Sequence, residues 1–121
     1  MAIQESGEMY LETLLILSQG DREVHSVDVG DYMGFSKPSV SRAMKNLRDG
    51  GYIEMSPSGV LTLTANGRAL AEKIYERHRL IKAVLMELGV SEQIAAEDAC
   101  RIEHDISDES ILAIKRHFNQ N

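Results

Sequence analysis

The sequence predicts a mainly α-helical protein in which three short helices and a β-hairpin precede a second, wholly helical segment. Three observations lead there. Apolar residues recur at helical spacing through most of the chain. Residues suited to capping helices, Ser26, Ser36, Thr64, Ser91 and Ser107, stand ahead of most of those segments. The two strand-like runs, Tyr52 to Met55 and Val60 to Leu63, flank the turn-forming Ser56-Pro57-Ser58-Gly59. Two prolines and six aromatics (four Tyr, two Phe) agree with a helical composition.

The first helix is expected from about Glu5 to Ser18, carrying Met9, Leu11, Leu14, Leu15 and Leu17, with Gly20 ending it. Ser26 is the expected cap of a second helix over Val27 to Met33, and Gly34-Phe35-Ser36 forms a tight turn. Ser36 caps a third helix, with Pro38 near its first position, where a missing N–H costs little. Val40, Met44 and Leu47 make an i, i+4, i+7 stripe along it, and Gly50-Gly51 stops it. After the hairpin, Thr64 caps a long helix to about Leu88, with Leu70, Ala71, Ile74, His78, Ile81, Val84, Leu85 and Leu88 on one face. Two further helices are expected, Glu92 to about Asp105 and Asp108 to about Phe118.

A chain of 121 residues is one domain or two very small ones. The boundary is placed inside the long helix, giving residues 1–74 and 75–121. No apolar run approaches the ~20 residues that a membrane helix needs, so no membrane partner is expected. The opening MAIQESGEMY lacks the basic and apolar regions of a secretory signal. A single cysteine suits a reducing, cytoplasmic setting. The net charge of −6 argues against nucleic acid, but its distribution does not. Lys37, Arg42, Lys45 and Arg48 form an acid-free stretch, whereas the charged residues from Glu92 to Glu109 are nearly all acidic. Either stretch, by itself, also fits an ordinary solvated helix face.

Helix, short turn, basic helix and hairpin in that order describe a winged helix-turn-helix. Its second helix would enter the major groove of double-stranded operator DNA. The residues there are Ser36, Lys37, Pro38, Ser39, Ser41 and Arg42. Arg42 suits a bidentate guanine contact, worth ~1–3 kcal/mol of discrimination. Lys37, Lys45 and Arg48 suit phosphates. Pro38 suits a thymine methyl or simply the opening of the helix. The hairpin tip, Ser56 to Gly59, carries no cation. The same fold used for protein contact is the alternative.

In the second half, Cys100, Glu103 and His104 stand at i, i+3 and i+4, which puts a thiol, a carboxylate and an imidazole on one helical face. Taken singly, Met9 reads as core, Cys100 as a small buried hydrophobe, His78 as a satisfied core histidine, and Glu103 and His104 as surface ion-pair partners. Together they suggest a transition-metal site, because a bound cation stabilises thiolate and carboxylate and keeps the imidazole neutral.

At Glu8-Met9-Tyr10-Leu11-Glu12, Ser36-x-Pro38-Ser39-Val40-Ser41, Leu63-Thr64-x-x-Gly67-Arg68-x-Leu70-Ala71, Arg77-His78-Arg79-Leu80, Glu97-x-Ala99-Cys100-Arg101-x-Glu103-His104 and Ile106-Ser107-Asp108-Glu109, the chain resembles the iron- and manganese-dependent repressors of the diphtheria-toxin-repressor type. The resemblance implies an N-terminal winged-helix domain, a helical dimerisation domain, and homodimeric, metal-activated operator binding. It is to a two-domain form, since the sequence stops at Asn121, before the SH3-like domain of longer members. Carried over residue by residue, the main metal site falls on Met9, Cys100, Glu103 and His104. Iron-type members have Met and Cys at the first two positions and manganese-type members have carboxylates. Sulfur ligands favour Fe²⁺ over Mn²⁺, with Co²⁺, Ni²⁺ or Zn²⁺ as substitutes in vitro. The iron-type ancillary site keeps His78 but has Lys82 and Ala96 in place of a glutamate and a histidine. The manganese-type arrangement would instead use Glu12 and His78, with Glu103 bridging.

The implied mechanism is a cation that links the first helix to the dimerisation half. It would set the spacing of two recognition helices to half-sites ~34 Å apart or a multiple of it. Val84, Leu88, Ile94, Ile111, Leu112 and Ile114 are the candidate dimer surface, with ordinary core as the alternative for each. The expected role is a repressor of metal-uptake genes. A metal-independent winged-helix repressor sensing a small organic ligand is the alternative. A metallohydrolase would need an open coordination position and a general base, and an enzyme is not expected, because the chain lacks a His-Glu-x-x-His motif and a mostly helical chain this small offers no evident substrate cleft.

Overall fold

The computed structural model describes residues 5–119. The first four residues of the N-terminal stretch read above as lacking a secretory signal lie outside them. Helices α1 (Glu5–Leu17), α2 (Ser26–Met33) and α3 (Lys37–Asp49) are followed by strands β1 (Ile53–Met55) and β2 (Leu61–Leu63). Helices α4 (Ala65–Glu87), α5 (Glu92–Ile102) and α6 (Asp108–Asn119) complete the order. The chain divides into two compact units, Met1–Glu72 and Lys73–Asn121.

In the first unit, α2 and α3 are joined by a turn at Gly34, whose φ of 73° is left-handed and suits glycine. The N–H groups of Gly34 and Phe35 both bond to the Gly30 carbonyl, at 2.8 and 3.2 Å. Ser36 then caps α3, its Oγ accepting from the Ser39 N–H at 3.4 Å, with Pro38 in the first turn. Val40, Met44 and Leu47 are buried, so the predicted stripe is the face that holds α3 to the unit. They join Leu11, Leu14, Val24, Val29, Ile53 and Leu61 in the apolar interior. α2 starts one residue earlier than predicted, and its cap is His25, not Ser26. The reason is Asp28, whose Oδ2 accepts the His25 N–H at 2.9 Å and draws the helix start back.

The hairpin is antiparallel, pairing Ile53 with Leu63, Glu54 with Thr62 and Met55 with Leu61. Val24 extends it on one side through a bond from the Leu61 N–H at 2.8 Å. Thr64 caps α4 as predicted, its Oγ1 accepting from the Gly67 N–H at 3.1 Å and donating to the Gly51 carbonyl at 2.7 Å. Gly67 is a requirement of this junction. A Cβ there would lie 1.9 Å from the Tyr52 carbonyl oxygen, a backbone atom with no freedom to swing aside.

The second unit packs α5 and α6 on the later turns of α4. Ile81, Ala99 and Ile111 are its buried centre, with Leu80, Leu85 and Ile106 against them. Ile111, predicted at a dimer surface, is therefore core. Leu88, Ile94 and Leu112 are exposed, Leu88 to 74% because it lies just beyond the end of α4. α5 ends at Ile102, short of the predicted Asp105. The N–H groups of Asp105 and Ile106 both turn back to the Ile102 carbonyl, at 3.0 and 3.1 Å. Arg77 of α4 meanwhile takes up the Glu103 and Ile106 carbonyls.

Candidate metal centre

Glu103 is the most unusual residue of the second unit, a carboxylate with 0% exposure. It is the C-cap of α5, with φ −58° and ψ −25°, so its side chain still follows the helical spiral that carries Cys100. Its Oε2 lies 3.0 Å from Nδ1 of His78 on α4, and its Oε1 lies 3.3 Å from Nε2 of His104. The His104 ring is itself only 1% exposed. Taking a carboxylate out of water costs several kcal/mol unless positive charge or donors replace the lost hydration.

The arrangement gathers metal-ligating chemistry around that carboxylate. One donor atom each from His78, Cys100 and Glu103 lie within 4.8 Å of one another. An imidazole, a thiol and a carboxylate at such separation fit a single divalent transition ion, which would neutralise the buried carboxylate and favour the thiolate. Cys100 is exposed, which removes the reading of it as a small buried hydrophobe. His78, read singly as a core histidine or as part of an ancillary site, stands in this same group. His104 reaches it through Glu103, and the helix that was to carry all three α5 donors stops before Glu103. Lys82, the departure from the ancillary pattern, pairs with Glu92 at 3.3 Å.

In the first unit, Met9 is half-buried, unlike the wholly buried Leu11 and Leu14 that follow it on α1. Glu12 is also half-buried, and its Oε2 is a buried atom without a hydrogen-bond partner among the described residues. Both side chains therefore keep ligand capacity that the apolar interior does not consume.

The basic helix presents Ser36, Lys37, Pro38, Ser41, Arg42, Lys45 and Arg48 on exposed positions, and Ser39 is half-buried. Ser36 and Ser39 also bond to each other, Oγ to Oγ at 3.0 Å, as part of the helix start. Among the described residues, acidic side chains pair with Arg22, Arg68 and Arg101, whereas no ion pair involves Lys37, Arg42, Lys45 or Arg48. Those four charges are therefore available to an anionic partner.

Sequence reasoning gave no role to Arg77 and Asp108. Arg77 donates to the carbonyls of Glu103 at 3.2 Å and Ile106 at 2.9 Å, and it pairs with Asp108, which Lys73 also approaches at 3.1 Å. The hydrogen bond and charge of Lys73, with Arg77 beside them, hold the Asp108 carboxyl below its ordinary range. Both residues lie within quoted motifs, but a pair 31 positions apart leaves no local spacing to read.

Comparison with known proteins accounts for both halves. The profile described as iron dependent repressor, N-terminal DNA binding domain, matches residues 2–61. The one described as iron dependent repressor, metal binding and dimerisation domain, matches residues 64–120. The chain is 38% identical over 106 residues to the transcriptional regulator MntR of Escherichia coli O6:H1, covering 88% of this chain and 68% of that protein. It is 31% identical to the diphtheria toxin repressor of Corynebacterium efficiens, covering 87% of this chain and 46% of that one. Its fold is similar to that of the manganese regulator SloR, with a TM-score of 0.85 and 28% identity over 100% of this chain and 56% of that one. The chain thus spans about half the length of these last two relatives. A metal-binding domain over residues 64–120 displaces the alternative of a metal-independent regulator. The chain belongs to the iron-dependent repressor family: it is a metal-dependent, DNA-binding transcriptional repressor and not an enzyme.

Proposed function

We propose that this chain is an iron-type sensor, a cytoplasmic homodimer that represses metal-uptake genes when Fe²⁺ is bound, with Mn²⁺ as the weaker activator. The observation that carries the reading is the Cys100 thiol beside His78 and Glu103. A thiolate in the donor set biases a site towards Fe²⁺ and later first-row ions, whereas an all-oxygen and nitrogen set suits Mn²⁺. His78, Cys100, Glu103 and His104 are the proposed ligands of the second unit, and Met9 and Glu12 the proposed ligands on α1. Domains are proposed as residues 1–74 for DNA and 75–121 for metal and dimerisation.

A bound divalent cation supplies the positive charge that lets these acidic donors converge. The residues do the rest. His78 orients the Glu103 carboxylate, and Cys100 fixes the preference among ions. Lys37, Lys45 and Arg48 meet phosphates, while Ser36, Pro38, Ser39, Ser41 and Arg42 face base edges of operator DNA. Metal promotes repression only by binding the DNA-competent state more tightly than the other. The paired subunits then present their recognition helices at the half-site spacing of the duplex.

The test is an anaerobic competition between Fe²⁺ and Mn²⁺ in the native protein and in Cys100→Glu. The native protein is expected to prefer Fe²⁺, and Cys100→Glu to shift preference at least about tenfold towards Mn²⁺, ~1.4 kcal/mol. Equal preference in both proteins would remove Cys100 from the ligand set.

A further inference from the structure

We propose that Arg77 is a positioning residue of the metal centre, holding the turn that carries Glu103 and His104 in ligand geometry before any metal arrives. The proposal rests on the reading that His78, Cys100 and Glu103 bind the ion. Two neighbours on α4 grip the same residue by different parts. His78 meets the Glu103 side chain at 3.0 Å, and Arg77 donates to the Glu103 main-chain carbonyl at 3.2 Å. The same guanidinium donates to Ile106 at 2.9 Å and pairs with Asp108, the first residue of α6. One side chain, 13% exposed, thereby fastens the start, middle and end of the α5–α6 connection.

An arginine is suited to this position. The last carbonyls of a helix have no partners within it, and cationic donors are favoured there. Arg77 offers a planar fork whose separate N–H groups serve two carbonyls and a carboxylate at once, whereas an ammonium is a point charge. Lys73, one turn earlier on α4, pairs with the same Asp108 carboxylate at 3.1 Å. The clamp serves ligation because the fully buried Glu103 is held at two points: His78 meets its carboxylate, and Arg77 fixes the main chain that carries it. Ligand positions must be kept to within ~0.5 Å for a productive site. Removing an outer group that orients a ligand typically costs ~10–100-fold in metal affinity.

The experiment is an anaerobic Co²⁺ titration of the full chain, following the thiolate-to-cobalt absorption band, with Arg77→Met, Arg77→Lys and Cys100→Ala beside the native protein. Thermal unfolding of the metal-free proteins is measured alongside. Arg77→Met is expected to bind Co²⁺ about 10–100-fold more weakly with an altered visible spectrum. Arg77→Lys is expected to fall between it and the native protein. Native Co²⁺ affinity and spectrum in folded Arg77→Met, whatever its unfolding temperature, would overturn the positioning role. Should Arg77→Met not fold, native affinity in Arg77→Lys would overturn it equally. A native thiolate band in Cys100→Ala would instead overturn the metal-site reading on which the proposal rests.

Discussion

Glu103 shows what one residue contributes to a site that must respond to a cation. Its two oxygens are each within reach of an imidazole, His78 at 3.0 Å and His104 at 3.3 Å, and none of its side chain meets water. Such a carboxylate is stable only while positive charge or donors surround it. A divalent ion provides more of that charge than ring N–H groups can, and it competes with protons for the same donors, so metal affinity rises with pH. On the DNA-binding face the division of labour is also by residue. Arg42→Ala is expected to relax base preference by ~1–3 kcal/mol at one operator position. Lys45→Ala is expected to weaken binding evenly across sequences and lower the salt slope by about one. Binding measured against a panel of operator variants at several salt concentrations separates the two. An equal loss on every sequence in both variants would contradict the assignment of Arg42.

At the scale of elements, the junction between hairpin and α4 depends on the missing side chain of Gly67. Its Cα faces the Tyr52 carbonyl so closely that a methyl group would sit 1.9 Å from the oxygen. Gly67→Ala is expected to destabilise the first unit by at least ~1–3 kcal/mol through forced backbone displacement. A denaturant titration checks it, and an unchanged midpoint would contradict the packing described. Much of the element plan was legible because it is local. Ser36, Pro38 and the Val40–Met44–Leu47 stripe dictate α3 from neighbouring positions, and the Ser56–Gly59 turn dictates the hairpin. What was not legible depends on distant partners. Ile111 could be core or interface until Ile81 and Ala99 were placed beside it. The end of α5 at Ile102 likewise involves a distant partner, since Arg77, 26 residues before Glu103, takes up the carbonyl there. The candidate site was legible in its Cys-x-x-Glu-His spacing. The approach of His78 to Cys100 and Glu103 is tertiary, and no periodicity announces it.

At the scale of the whole molecule both compact units are acidic overall, and positive charge is segregated locally, in the acid-free stretch that carries Lys37, Arg42, Lys45 and Arg48. The basic helix offers cations that no ion pair among the described residues neutralises, and the second unit buries the carboxylate of Glu103 beside His78 and His104. An acidic protein overall, at −6, would approach DNA poorly without that segregation. A divalent cation held by the proposed ligands would lower the negative charge of the chain and so favour its approach to DNA. By linkage, operator DNA must raise metal affinity by the factor by which metal raises DNA affinity.

The most direct test of this account is an anaerobic Fe²⁺ titration of the metal-free protein while fluorescence anisotropy follows its affinity for operator DNA. The native protein is expected to bind tightly only as Fe²⁺ is added and to release on chelation, with Cys100→Ala and Glu103→Gln remaining unresponsive. Operator affinity that is the same with Fe²⁺ and with chelator, or a full Fe²⁺ response retained in Glu103→Gln, would contradict it.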